Sequence, residues 1–144
     1  MRFVHECALR WSDLDAYGHV NNARFLTLYE EARVALFFLG AREAGLTSFE
    51  GGIVIARHEI DYLRPVTYAT GSDGKPRPPV VRIELWVEEV RPSRLTVAYE
   101  LFDAGTLASR ARSVCVPINL ATATPRRLTD AERAFLADWT AEVP

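Results

Sequence analysis

Lysine is almost missing from this chain of 144 residues: Lys75 is the only one, and every other basic residue is an arginine. No apolar run approaches the ~18 uncharged residues that a bilayer-crossing helix needs, so no membrane span is expected. Cysteine is scarce. Cys7 and Cys115 form no CxxC pair and no zinc-like spacing, so both read as small buried hydrophobes in a reducing compartment. The first ten residues hold no continuous apolar stretch, so no secretory signal is expected and the cytoplasm is the expected location. Positive charge is not in excess. Seventeen basic residues against nineteen acidic ones leave a formal charge of −2, which argues against a broad nucleic-acid interface. The dominance of arginine keeps a small phosphorylated ligand open, because planar guanidinium groups suit phosphate; a GC-rich coding bias explains it equally well.

The chemistry of several enzyme classes is absent too. There is no GxSxG elbow, and nothing around either cysteine marks a nucleophilic triad. No second histidine or glutamate cluster shows metal spacing, so no metal is expected. What remains is ordinary for a globular protein, with 49% apolar and 25% charged residues. The length suits one domain over 1–144, large enough for a core without disulfides.

The pattern of apolar residues predicts the elements. Residues 2–10 read as a first strand. Phe25, Leu28, Tyr29, Ala32, Leu36 and Leu39 repeat at i, i+3, i+4 and i+7 spacings, which predicts a helix from Asn22 to Leu39. Leu26, Val34, Phe37 and Phe38 add apolar surface around its girth, so the helix is expected to be buried on more than one side. Gly40 is the expected left-handed residue closing it, with a turn and loop over 41–52. A strand follows over 53–63, halted by Pro65. The Gly71 to Pro79 stretch reads as a mobile hairpin connection rather than a domain linker. Strands over 80–89 and 94–102 alternate strictly and flank the turn Arg91-Pro92-Ser93. A further strand over 107–118 has one face of small residues (Ser109, Ala111, Ser113, Cys115), as if something packs close against it. Thr129 and Glu132 form a capping box ahead of a short amphipathic helix marked by Phe135, Leu136, Trp139 and Val143. One long helix against antiparallel strands is an α+β architecture, with the sheet curved around the helix.

The polar residues concentrate in Arg10-Trp11-Ser12-Asp13-Leu14-Asp15-Ala16-Tyr17-Gly18-His19-Val20-Asn21-Asn22, a loop that feeds the N-terminus of that helix. Asp13 and Asp15 have a plain reading as turn residues bonding nearby amides. They also have a chemical one. The first amides of a helix are unpaired donors carrying partial positive charge, so an oxyanion can sit on them while an Asp upstream folds back to face it. Such a pairing suits acyl chemistry. His19 is a general base or an orienting hydrogen-bond partner. Glu30 and Glu31 are either a catalytic carboxylate on the helix or salt-bridged positions beside Arg33 or Arg24. His5 and His58 fall in strands and read as edge or satisfied positions.

The run from Arg10 to Phe25 resembles the signature of hotdog-fold acyl-CoA thioesterases. It is similar to the 4-hydroxybenzoyl-CoA thioesterase group, and most of all to its long-chain acyl-CoA branch. Glu30-Glu31-Ala32-Arg33 and Ile60-Asp61-Tyr62-Leu63-Arg64-Pro65-Val66 agree with it. The resemblance implies a hotdog fold, an antiparallel sheet wrapped around one long central helix. It implies hydrolysis of an acyl-CoA to a free acid and coenzyme A, with no cofactor beyond the coenzyme A carried by the substrate. It also implies a homodimer whose sheets join edge to edge, often paired into a homotetramer, with the site at the dimer interface. The catalytic carboxylate falls on Asp15, as nucleophile or as base for a water, and the carbonyl-polarising amide on Asn22. Asp13, Gly18, His19 and Asn21 shape the loop. Tyr62-Leu63-Arg64-Pro65-Val66 reads either as a plain strand terminus or as a pocket wall, and by the resemblance Arg64, Arg91, Ser93 and Arg94 are candidates for the coenzyme arm. Two departures stand out: Tyr68-Ala69-Thr70-Gly71-Ser72-Asp73-Gly74 and a proline-rich stretch replace a short Gly-Asp, and the hairpin is Arg-Pro-Ser-Arg rather than a Gly-x-Ser-Ser type. Two other functions fit the same residues, a thioesterase acting on acyl carrier protein and a non-catalytic acyl-binding module.

Overall fold

The computed structural model describes residues 1–71 and 73–140. Its elements are β1 (Phe3–Ala8), α1 (Asn22–Val34), a π-helical segment (Ala35–Gly40) running into α2 (Ala41–Glu43), and β2 (Ile53–Tyr62). Then come β3 (Val80–Arg91), β4 (Arg94–Asp103), β5 (Thr106–Asn119), the short β6 (Thr124–Pro125) and α3 (Asp130–Ala137). The sheet is antiparallel throughout, in the order β1-β3-β4-β5-β2, and β6 adds to the end of β5. It curls around the helix. The alternating residues of β3 (Val81, Ile83, Leu85, Val87) and β4 (Leu95, Val97, Tyr99, Leu101) are all buried, as a one-sided sheet requires.

Helix α1 settles onto that inner face through Phe25, Leu28, Tyr29 and Ala32. The small residues of β5 make this approach possible. The Tyr29 hydroxyl donates to Ser109 Oγ at 2.7 Å, its ring lies 4.8 Å from that of Tyr99, and Arg33 Nη1 donates to the Tyr99 hydroxyl at 3.2 Å. Glu30 takes the salt-bridge reading, 3.8 Å from Arg33. His58 Nδ1 lies 2.8 Å from Ser113 Oγ on β5, a satisfied position on an edge strand.

The end of the helix differs from expectation. Gly40 has an ordinary helical conformation (φ −64°), and the chain stays helical through Glu43. The left-handed residue is Gly45 (φ +81°). Its amide donates to Arg42, and the Leu46 amide to Ala41, the paired bonds of a Schellman ending. The cause is the π-helical segment, in which the Ala41 amide reaches back five residues to Leu36. The wider turn shifts the apolar stripe, so Leu39, expected inside, is exposed. Periodicity at 3.6 residues per turn cannot register such a shift. The capping box of α3 forms as read, while Val143 lies outside the described residues.

Cys7 and Cys115 are both buried and unpaired. Burial pushes each thiol up to about 11, and the thiolate is the reactive species. At pH 8 an aromatic disulfide reagent is therefore expected to label neither cysteine in the native protein and both in guanidinium chloride. Rapid native labelling would contradict this packing.

Candidate active site

The polar loop is a miniature hairpin. Leu14 pairs with Val20, and the Asp15 amide donates to the His19 carbonyl at 2.7 Å. Between them Ala16, Tyr17 and Gly18 make a three-residue turn. The Gly18 amide donates to the Asp15 carbonyl at 3.2 Å, and Gly18 takes φ +74°. That backbone is nearly free of cost for glycine alone, so Gly18 serves the loop's shape. Asp13 is buried beneath it. Its carboxylate accepts from the Arg10 amide and guanidinium, and its carbonyl from the Asn21 amide.

Asp15 divides its two oxygens between two jobs. Oδ1 accepts from the Tyr17 amide at 2.8 Å and the His19 amide at 3.2 Å, the plain turn role. Among the described residues Oδ2 accepts no hydrogen bond, and it is available for chemistry. At the other end of the loop Asn21 caps α1. Its Oδ1 accepts from the Ala23 amide at 2.9 Å, and its carbonyl takes the Arg24 amide. The Asn22 amide between them has no acceptor among the described residues. A free donor at the positive end of a 13-residue helix is able to stabilise a negative charge placed on it.

These groups open onto one depression of about 400 Å³, lined by Asp15, His19, Val20, Asn22, Phe25, Tyr62, Leu63, Arg64 and Pro65. The end of β2 closes its far wall. The Tyr62 hydroxyl donates to the Asn22 carbonyl at 2.9 Å, and its ring stands edge-on to Phe25 at 5.1 Å. Five of the residues singled out from the sequence, Asp15, His19, Asn22, Tyr62 and Arg64, therefore meet in one place. Gly18 and Asn21 support them through the backbone. Leu63 and Pro65 belong to the strand ending expected to line a pocket, whereas Val20 and Phe25 were not expected at the site. All four are apolar wall residues, and Phe25 also opens the buried stripe of the helix.

Arg91, Ser93 and Arg94 sit elsewhere. They form the β3–β4 hairpin, where Arg91 pairs with Glu89 and the Pro92 carbonyl accepts from Leu128. Strand β4 has ten residues, so this hairpin is about 30 Å from the Asp103 end of the sheet, near which the depression lies. One chain does not bring them to Asp15.

A curled antiparallel sheet around a central helix, with a polar hairpin at the helix start, is the hotdog fold. The chain belongs to the thioesterase-like superfamily, whose family model matches residues 9–140, and it falls by that membership among thioester hydrolases. A predicted thioesterase from Bacillus stearothermophilus is 25% identical over the full length of both chains, with a TM-score of 0.83. A thioesterase from Thermus thermophilus, solved in complex with coenzyme A and zinc, is 28% identical. It matches over 94% of this chain and 92% of its own, with a TM-score of 0.77. No protein of curated function matches this chain.

Proposed function

We propose that the protein hydrolyses an acyl-CoA thioester to a free acid and coenzyme A, as the 4-hydroxybenzoyl-CoA and long-chain acyl-CoA thioesterases do. The observation that carries the reading is the shared depression in which Asp15 Oδ2 and the Asn22 amide are both unengaged. The thioester carbonyl oxygen rests on the Asn22 amide, where the helix dipole stabilises the negative charge of the tetrahedral intermediate. Asp15 then acts in one of two ways. It attacks the carbonyl carbon, expelling the thiolate and leaving an anhydride that water cleaves, or it takes a proton from a water that attacks in its place. A thiolate leaves readily, so neither route requires a dedicated acid. His19, held by the same turn, orients the loop or the attacking water.

Coenzyme A binding by the relative from Thermus thermophilus supports the substrate class, and Arg64 at the rim is placed to meet a phosphate. A homodimer joined along β2, one of the two edge strands of the sheet, would place a second chain beside the depression. Arg91, Ser93 and Arg94 reach a coenzyme arm only if another subunit supplies them. Incubation with a panel of aliphatic and aromatic acyl-CoAs, followed by thiol release, is expected to give turnover of several members and little on the same acyl groups carried by acyl carrier protein. Hydrolysis confined to acyl carrier protein would replace the substrate, and binding without thiol release would leave an acyl-binding module.

A further inference from the structure

The inserted stretch after β2 carries a buried ion pair that no catalytic step uses. Arg77 and Asp103 are both about nine-tenths buried in their side chains and are in direct contact. Residues around the turn fold back as a small hairpin, with Thr70 paired to Pro76 and the Arg77 amide donating to the Ala69 carbonyl at 2.9 Å. Arg77 is thereby carried under the loop that leads out of β2.

Its guanidinium makes three backbone contacts. Nη1 donates to the carbonyls of Pro78 and Val80, each at 3.1 Å, and Nη2 donates to the Thr67 carbonyl at 2.7 Å. Asp103 fixes that guanidinium from its other side through the ion pair. Thr67 is the strand partner of His19, and next to it the Val20 amide donates to the Val66 carbonyl at 2.7 Å. His19 in turn holds Asp15 through its amide and its carbonyl. Contacts therefore run without a gap from the ion pair through Thr67 and His19 to the carboxylate.

Burial of an ion pair is weak evidence for stability, because well-packed apolar side chains commonly stabilise a core as well or better. What an apolar pair cannot do is hold three backbone carbonyls at once, as the Arg77 guanidinium does. We propose that Arg77, held in place by Asp103, is a positioning residue that clamps the Thr67 carbonyl and so holds the His19–Asp15 turn in register with the Asn22 amide. The role rests on the thioesterase reading for its effect on rate, but the clamp itself does not.

The test is the double variant Arg77→Met/Asp103→Leu, which removes both ions and leaves no unpaired buried charge to unfold the protein. Three carbonyls lose their arginine donor, so its melting temperature is expected to fall by several degrees while the protein stays folded at the assay temperature. Exchange of the Val20 amide is expected to rise at least tenfold while the β3–β4 amides keep their protection. With acyl-CoA substrate, kcat is expected to fall about tenfold or more, the scale of effect that slight misplacement produces, with KM changed less than about threefold. Arg77→Lys, which keeps the charge opposite Asp103, is expected to recover most of the lost rate. A folded double variant with wild-type Val20 exchange, or with wild-type kcat, overturns the proposal. If Asp15→Asn keeps full activity, the catalytic reading fails instead, and the exchange measurement still decides whether the clamp exists.

Discussion

Asp15→Asn is expected to lower kcat for acyl-CoA hydrolysis by about a thousandfold without loss of fold. The substitution is selective because the two carboxylate oxygens do different things. Asparagine keeps an oxygen where Oδ1 accepts from Tyr17 and His19, so the turn closes as before. It replaces Oδ2 with an amide nitrogen that is neither nucleophile nor base. Residual turnover would then report the Asn22 amide and bound orientation alone. Thiol release, measured beside a thermal melt, checks both halves of the expectation. Wild-type turnover by a folded Asn variant would remove Asp15 from the chemistry. Rapid quenching of the wild-type enzyme separates its two roles: an acyl adduct mapped to Asp15 marks the nucleophile, and its absence during steady turnover marks the base.

The sheet and the loop were legible in the sequence because each has a local cause. Alternation in β3 and β4 follows from a sheet with one buried face, and the small face of β5 forecast the close approach of Tyr29. The Asp-x-x-Gly turn and the Asn cap are short-range chemistry that a linear reading can follow. Where the reading failed, the cause lay several residues away or in another element. Gly40 follows an apolar run and so resembles a helix stop, but the π-helical segment carries the chain past it to Gly45. Leu39 faces outwards for the same reason. The clamp on Thr67 was not legible, since Arg77 and Asp103 are far apart in sequence and meet only when the insertion folds back. Hairpin residues Arg91, Ser93 and Arg94 were candidates only through the family resemblance. The length of β4 then sets them at the far end of the same protomer.

Glu132→Ala is expected to lower stability by about 3 kcal/mol, which for a chain of this size lowers the melting temperature by roughly 10 °C. Glu132 has no exposed surface although it is ionisable. Its carboxylate accepts from Arg126 Nη2 at 2.7 Å, from Ser48 Oγ at 2.7 Å and from the Thr129 amide at 2.9 Å. One residue therefore caps α3, pins the loop before β2 and neutralises a half-buried arginine. Alanine removes every acceptor at once and strands four donor groups, two of them on Arg126. Burial alone would raise the carboxyl, but the bonds from Arg126, Ser48 and Thr129 outweigh it and hold the group below the usual glutamate range. The sign follows. The folded state favours the ionised form, so the stabilisation is complete above the unfolded-state value and is lost as pH falls through the lower folded one. Wild type should therefore lose stability in acid more steeply than Glu132→Gln, which keeps an acceptor but cannot ionise. Thermal melts of the two proteins between pH 3 and 7 (from about one unit below an ordinary carboxylate to about three above it) check this, and parallel curves would show that Glu132 is not ionised in the fold. Because α3 packs away from the depression that holds Asp15, kcat measured well below the melting temperature should be unchanged in both variants.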